Sequence, residues 1–206
     1  MEATPTTLFL FSLLFFIPTL SSAGEHHSAA PPAGDFIRAS CRSTRYPSLC
    51  EECLAAYAEA VRHSPRSLAH AALSVSADRA RAASSFVGRL SAPPGGRSAH
   101  SGRRGGGAVR DCLDTLADSV DRLRRSDREM RRMGRRGTRS FEWHLSNVQT
   151  WVSAALTDES TCLDSLSEDS SGAGGTRAEI RKRIVDVARV TSNALALVNR
   201  LQGRPN

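Results

Sequence analysis

Five cysteines constrain this chain of 206 residues more than any other feature: Cys41 and Cys50, then Cys53, then the isolated Cys112 and Cys162. They follow an apolar N-terminal segment and sit among stretches of helical periodicity. The combination predicts a small exported helical domain stapled by two disulfides, with one thiol left over. The apolar segment runs from Leu8 to Leu20 and is followed by Ser21, Ser22, Ala23 and Gly24. Its thirteen residues are too few to span a bilayer, and small residues after such a run suit signal peptidase. Residues 1–23 are therefore expected as a signal peptide and 24–35 as a polar leader.

About 180 residues remain after cleavage, enough for one domain with a real core. No later segment is apolar enough to span a membrane, the polar tail after Leu201 argues against a lipid-anchor signal, and no Asn-x-Ser/Thr acceptor occurs. The formal charge is +7, carried almost wholly by arginine, with Lys182 the sole lysine. Outside the cell such a charge suits an anionic polysaccharide, a phospholipid surface or an acidic protein surface. Nucleic acid is excluded by export and by the scarcity of aromatic side chains for stacking.

The apolar residues follow the period of a helix face. Residues Phe36 to Cys41 suit a short helical turn, Tyr46-Pro47 breaks it, and a second helix is expected through Leu54 to Val61. Together they predict a hairpin over about residues 36–62. Ser64-Pro65 is a helix start, a serine cap before a proline in the first turn, and Leu68, Ala72, Val75, Phe86 and Leu90 follow at helical spacing. Pro93-Pro94 stops that helix, and a flexible Gly/Arg-rich loop is expected over 91–108. Further helices are marked by Cys112, Leu116, Val120, Leu123 and Met130, then by Phe141, Leu145, Val148, Val152 and Ala155, and lastly by Ile180, Ile184, Val187, Val198 and Leu201. Thr176 and Glu179 have the spacing of a capping box for the last of these. The expected fold is all-α: a hairpin packed on an antiparallel up-down-up-down four-helix bundle spanning about residues 64–203.

In such a bundle Cys112, early in one helix, and Cys162, late in the next, lie close enough to bridge. Cys41 and Cys50 would close the hairpin, although a Cys41–Cys53 pairing remains open by this reasoning. Cys53 is expected as a small buried residue beside Leu54 and Tyr57 rather than a reactive thiol. Little supports catalysis. His63, His70, His100 and His144 are scattered, with His144 expected on a helix surface, and no G-x-S-x-G elbow occurs. No enzyme activity, metal or cofactor is expected.

Several stretches resemble the plant invertase and pectin methylesterase inhibitor family: Phe36 to Cys41, Thr44 to Cys50, Asp111-Cys112-Leu113, Trp151 to Thr157 leading to Thr161-Cys162-Leu163-Asp164, and Thr191 to Leu197. The resemblance spans residues 36–197 in order and identifies 36–203 as an inhibitor domain. It implies bridges Cys41–Cys50 and Cys112–Cys162, with Cys53 the free thiol. It also implies a secreted cell-wall protein that blocks an enzyme in a one-to-one complex. The enzyme is either pectin methylesterase or an acid invertase. Invertase-type members carry Pro-Lys-Phe between the second and third bundle helices, and here Met133 to Ser140 lacks it, which favours the pectin methylesterase branch. Carried over by position, the partner-binding residues are Asp118, Asp121, Thr161 and Asp164, the two former on one helix face. The 95–107 insertion suggests a weak contact with anionic pectin, and a simple polysaccharide-binding wall protein is the further alternative.

Overall fold

The computed structural model describes residues 32–91, 104–168 and 174–203. Every regular element among them is helical, in the order α1 (Ala33–Cys41), α2 (Pro47–Leu54), α3 (Ala58–Val61), α4 (Pro65–Ser91), α5 (Arg104–Arg132), α6 (Arg139–Glu168) and α7 (Gly174–Asn199). The expected signal peptide lies outside the described residues, as does most of the expected basic loop.

Local chemistry explains several boundaries. Ser64 caps α4, its Oγ accepting from the Ser67 N–H at 3.1 Å, and Pro65 occupies the first turn where no N–H is needed. Thr138 does the same for α6, accepting from the Phe141 N–H at 3.2 Å. The turn between α5 and α6 passes through Gly137 at φ +78°, a conformation that glycine adopts at no steric cost. Gly203, at φ +66°, ends the described chain after a single 3-10 turn, Arg200–Gln202.

Four expectations need correction. The second hairpin helix is not continuous: a 3-10 turn, Ala55–Tyr57, separates α2 from α3. The first is nine residues long rather than one turn. Helix α5 begins at Arg104, so the end of the segment expected as loop is helical. Thr176 does not cap α7, which already begins at Gly174; Glu179 pairs instead with Arg183 at 3.3 Å, one turn on.

Helices α4 to α7 pack as an antiparallel ring in which each touches the next and α7 returns to α4, with α5 against α6 the most extensive contact. The α4 face is unusually small: Ala69, Ala72, Ala77, Ala80 and Ala83 are buried, so neighbouring helices approach closely while alanine favours the helix itself. Larger residues fill the centre, with Leu68, Leu73, Leu116, Leu123, Leu145, Ile180 and Ile184 essentially without solvent contact. Burying each such side chain contributes about 1.5–3 kcal/mol.

The hairpin is tied to α7 by polar groups as well as by the buried Leu54, while α3, with the buried Val61, packs on α4. Asn193 accepts from the Tyr46 N–H at 3.0 Å and donates to the Tyr46 carbonyl at 2.9 Å. Arg200 donates to the Ser40 carbonyl at 2.9 Å. Arg66 braces the same end of the bundle, donating to the carbonyls of Met130 and Gly134, the end of α5.

Candidate partner-binding face

The α5–α6 pair carries all four residues expected to bind a partner. Its inner surface is a seam of Leu116, Val120 and Leu123 against Val148, Val152 and Ala155, all buried. A disulfide joins Cys112 to Cys162 across 50 residues, and a second joins Cys41 to Cys50 within the hairpin. The helical period then turns Asp118 and Asp121 on α5, and Thr161 and Asp164 on α6, out to solvent. These four share the half of the pair that the disulfide clamps.

The face is more acidic than the four residues alone. Asp111 and Asp114 are exposed at the spacing that continues the Asp118–Asp121 row along α5. Sequence reasoning did not single them out as binding residues, although the 111, 114, 118, 121 spacing contained the signal. Between the helices Asp158 pairs with Arg122, Nε to Oδ2 2.6 Å. Burial pushes the Asp158 carboxyl above the usual carboxylate range, against the pull of Arg122, and the Asp118 charge adds to the rise. Asp121 has only a distant pairing, 3.9 Å to Arg124, and its side chain is 67 % exposed. Such a carboxylate holds no fixed geometry and is available to a cation on a partner. Hydroxyls on α6 complete the surface: Ser160, Thr161 and Ser165 each donate to the carbonyl one turn earlier. Their oxygens keep lone pairs that can accept from outside.

Directly beneath lies Glu159, a carboxyl with no solvent exposure at all. Ser119 of α5 and Thr191 of α7 both donate to its Oε1, at 2.8 and 3.0 Å, while Oε2 has no partner among the described residues. Burial pushes its pKa up to about 7, opposed by the two hydroxyls, so the group is largely protonated in acid. This residue was also missed. The series Val148, Val152, Ala155, Glu159, Cys162, Leu166 puts it on the buried stripe, but its charge argues for the surface.

Other expected positions fall elsewhere. His144 is not a surface residue; it packs in the α5–α6 seam, paired with the buried Glu129. Cys53 is free and half-buried beneath the hairpin, with the Arg79 guanidinium 3.4 Å away. Burial raises its pKa more than Arg79 lowers it, so the thiol is not poised as a thiolate. A groove of about 400 Å³ between the hairpin, α4 and α5 contains Tyr57, Arg66 and His70. Its polar groups are engaged within the fold, His70 by Asp127 at 2.8 Å and Arg66 by the end of α5. Among the described residues no group of His, Cys, Asp or Glu is arranged to hold a metal ion, and no helix is long and apolar enough to cross a membrane.

Comparison with known proteins agrees with this architecture. The family model described as plant invertase/pectin methylesterase inhibitor matches residues 35–197. Pectinesterase inhibitor 9 of Arabidopsis thaliana is 44 % identical over 196 residues, covering 92 % of this chain and 94 % of its own. A 21 kDa protein of Daucus carota is 41 % identical over 199 residues, covering 97 % and 96 %. Among solved structures, a mutant form of a pectin methylesterase inhibitor from Arabidopsis superposes with a TM-score of 0.57 at 20 % identity, over 77 % of this chain and 92 % of that one. At that identity the superposition speaks for the helical bundle, and the longer sequence matches speak for kinship. The chain belongs to the plant invertase/pectin methylesterase inhibitor family.

Proposed function

We propose that this protein is a secreted inhibitor of pectin methylesterase that acts in the cell wall. The observation that carries the reading is the 44 % identity, over nearly the whole chain, to a relative named as a pectinesterase inhibitor. The protein is not an enzyme; it works by occupying a partner. The proposed contact is the α5–α6 face, through Asp118, Asp121, Thr161 and Asp164, with Asp111 and Asp114 extending it.

The mechanism is steric and electrostatic. A convex pair of helices, clamped by Cys112–Cys162 and backed by a close-packed core, loses little freedom when it docks. The acidic row seeks a basic rim, and the hydroxyls of Ser160, Thr161 and Ser165 supply neutral hydrogen bonds between the charges. Once seated in a one-to-one complex, two rigid helices exclude a polymeric substrate from the cleft they cover.

The competing reading, inhibition of an acid invertase, has less support. The turn between α5 and α6 is Met133 to Thr138, rich in glycine and arginine and without the Pro-Lys-Phe element associated with that branch. A direct test mixes the refolded protein separately with a plant pectin methylesterase and a cell-wall invertase. Loss of esterase activity alone is expected at equimolar inhibitor. Loss of invertase activity alone would overturn the proposal.

A further inference from the structure

We propose a second docking surface, at the end of the bundle where α5 turns into α6, that holds a linear polyuronate such as de-esterified pectin. This surface lies toward the α5–α6 turn, apart from the acidic face near Cys112.

Between residues 124 and 139 the chain carries eight arginines against two carboxylates, Asp127 and Glu129. Both carboxylates already have partners: Asp127 pairs with His70 and Arg131, and the buried Glu129 pairs with His144 and, at 4.0 Å, with Arg132. Five of the arginines, Arg125, Arg128, Arg135, Arg136 and Arg139, are exposed and have no ion-pair partner among the described residues. Their placement works against the fold. Arg128 stands at i, i+4 from both Arg124 and Arg132, a spacing at which like charges repel, and of the three only Arg124 and Arg132 have a carboxylate nearby, Asp121 at 3.9 Å and Glu129 at 4.0 Å. Arg139 opens α6, where the helix dipole is positive and a cation is unfavourable. A row of like charges set against both local rules is explained by an external anion.

Trp143 gives the surface its second feature. It lies one turn beyond Arg139 and is 60 % exposed, one of two large hydrophobic side chains so placed among the described residues. Its neighbour His144 meets it edge-on, with centroids 4.8 Å apart, and so supports the indole without covering it. A flat indole suits the C–H face of a sugar ring, and planar guanidinium forks suit carboxylates. The two together fit a sugar acid better than a lipid. An anionic membrane would call for an apolar stripe to insert, and a lone tryptophan does not form one.

The test measures retention of the full mature chain on immobilised polygalacturonate, across a salt gradient. The same polymer in fully methyl-esterified form and phosphatidylserine vesicles serve as comparisons. The wild type should be held by polygalacturonate at low salt and released as salt rises, with little retention on the ester. The triple variant Arg128→Gln, Arg135→Gln, Arg139→Gln should bind about tenfold more weakly and with a shallower salt dependence. Trp143→Ala should weaken binding severalfold at every salt concentration. A control, Arg97→Gln with Arg103→Gln in the preceding basic segment, should bind as the wild type does. The idea is overturned if the triple variant is retained normally, if the control variant accounts for the loss, if the ester binds equally, or if vesicles are bound in preference. Esterase inhibition, assayed in parallel, should be the same for all variants. Failure of the wild type to inhibit would count against the proposed function while leaving the retention result to stand separately.

Discussion

The two halves of the α5–α6 pair are built from the same two helices yet present opposite chemistry. Toward Cys112 the surface is acidic, with Asp111, Asp114, Asp118 and Asp121 in one row; toward the turn it is basic, with Arg125, Arg128, Arg135 and Arg139. The supports beneath them differ in kind. A disulfide and the buried Glu159 network lie under the acidic half, while ion pairs of Glu129 and Asp127 lie under the basic half. A covalently fixed surface suits a shape-specific protein contact. A surface of loosely held guanidinium groups suits a polymer that can slide and adjust. If both proposed contacts hold, one rigid pair of helices separates a protein-binding from a polymer-binding surface by sorting its charges along its axis.

The largest expected effect comes from reversing the acidic half. Asp118→Arg with Asp164→Arg should abolish inhibition, two like-charge contacts together costing about 5 kcal/mol. Circular dichroism and melting temperature should remain near wild type, because both side chains are exposed. Undiminished inhibition by this double variant would remove the face from consideration.

Opening the clamp comes next. Cys112→Ser with Cys162→Ser should lower stability by about 4 kcal/mol, read from urea unfolding. If the clamp preorganises the acidic half, affinity for the esterase should fall while polyuronate retention stays constant. Equal loss of both would erase the contrast between the halves.

Glu159, beneath the acidic half, makes stability depend on pH. Below about pH 4.5 the carboxyl is protonated both folded and unfolded, so it has no effect. As pH rises toward 7 the unfolded chain ionises while the folded protein keeps its proton, and stability falls by about 3 kcal/mol in total. Glu159→Gln should therefore match the wild type at about pH 4 and exceed it at about pH 8, with a flatter profile between. A variant that tracks the wild-type profile would show that another group carries the dependence.

A smaller effect should come from Asn193→Ala, which removes both hydrogen bonds to Tyr46 and loosens the hairpin by about 1–2 kcal/mol. It should disturb neither half of the α5–α6 surface, so a change in inhibition would implicate the hairpin in binding. The least effect is expected from Arg124→Gln. It removes an exposed pair with Asp121 worth less than about 0.5 kcal/mol, and it should leave inhibition within about twofold.

Much of the architecture was legible in the sequence because helix formation is a local affair. The spacing of Cys112, Leu116, Val120 and Leu123 marks one face of α5, and Ser64-Pro65 marks the start of α4. The kinks were not. The 3-10 turn at Ala55–Tyr57 interrupts a stretch whose local preference is helical, so packing rather than propensity decides it. The Thr176 pattern misled because a capping box can equally occur one turn inside a helix. Of the proposed face, the carboxylates were legible as charge but the surface they make was not. That surface exists only when α5 and α6 lie side by side in a particular register.

Local pattern carried the sign and periodicity of the helical faces, since each depends on residues within a few turns of one another, but not the break of the hairpin helix at Ala55–Tyr57. The tertiary structure alone decided which polar groups become buried. It seated His144 against Glu129, closed Ser119 and Thr191 on Glu159, and hung the hairpin on Asn193. Such pairings join residues distant in the chain, and their protonation and energy follow from the water removed around them, which no local pattern records.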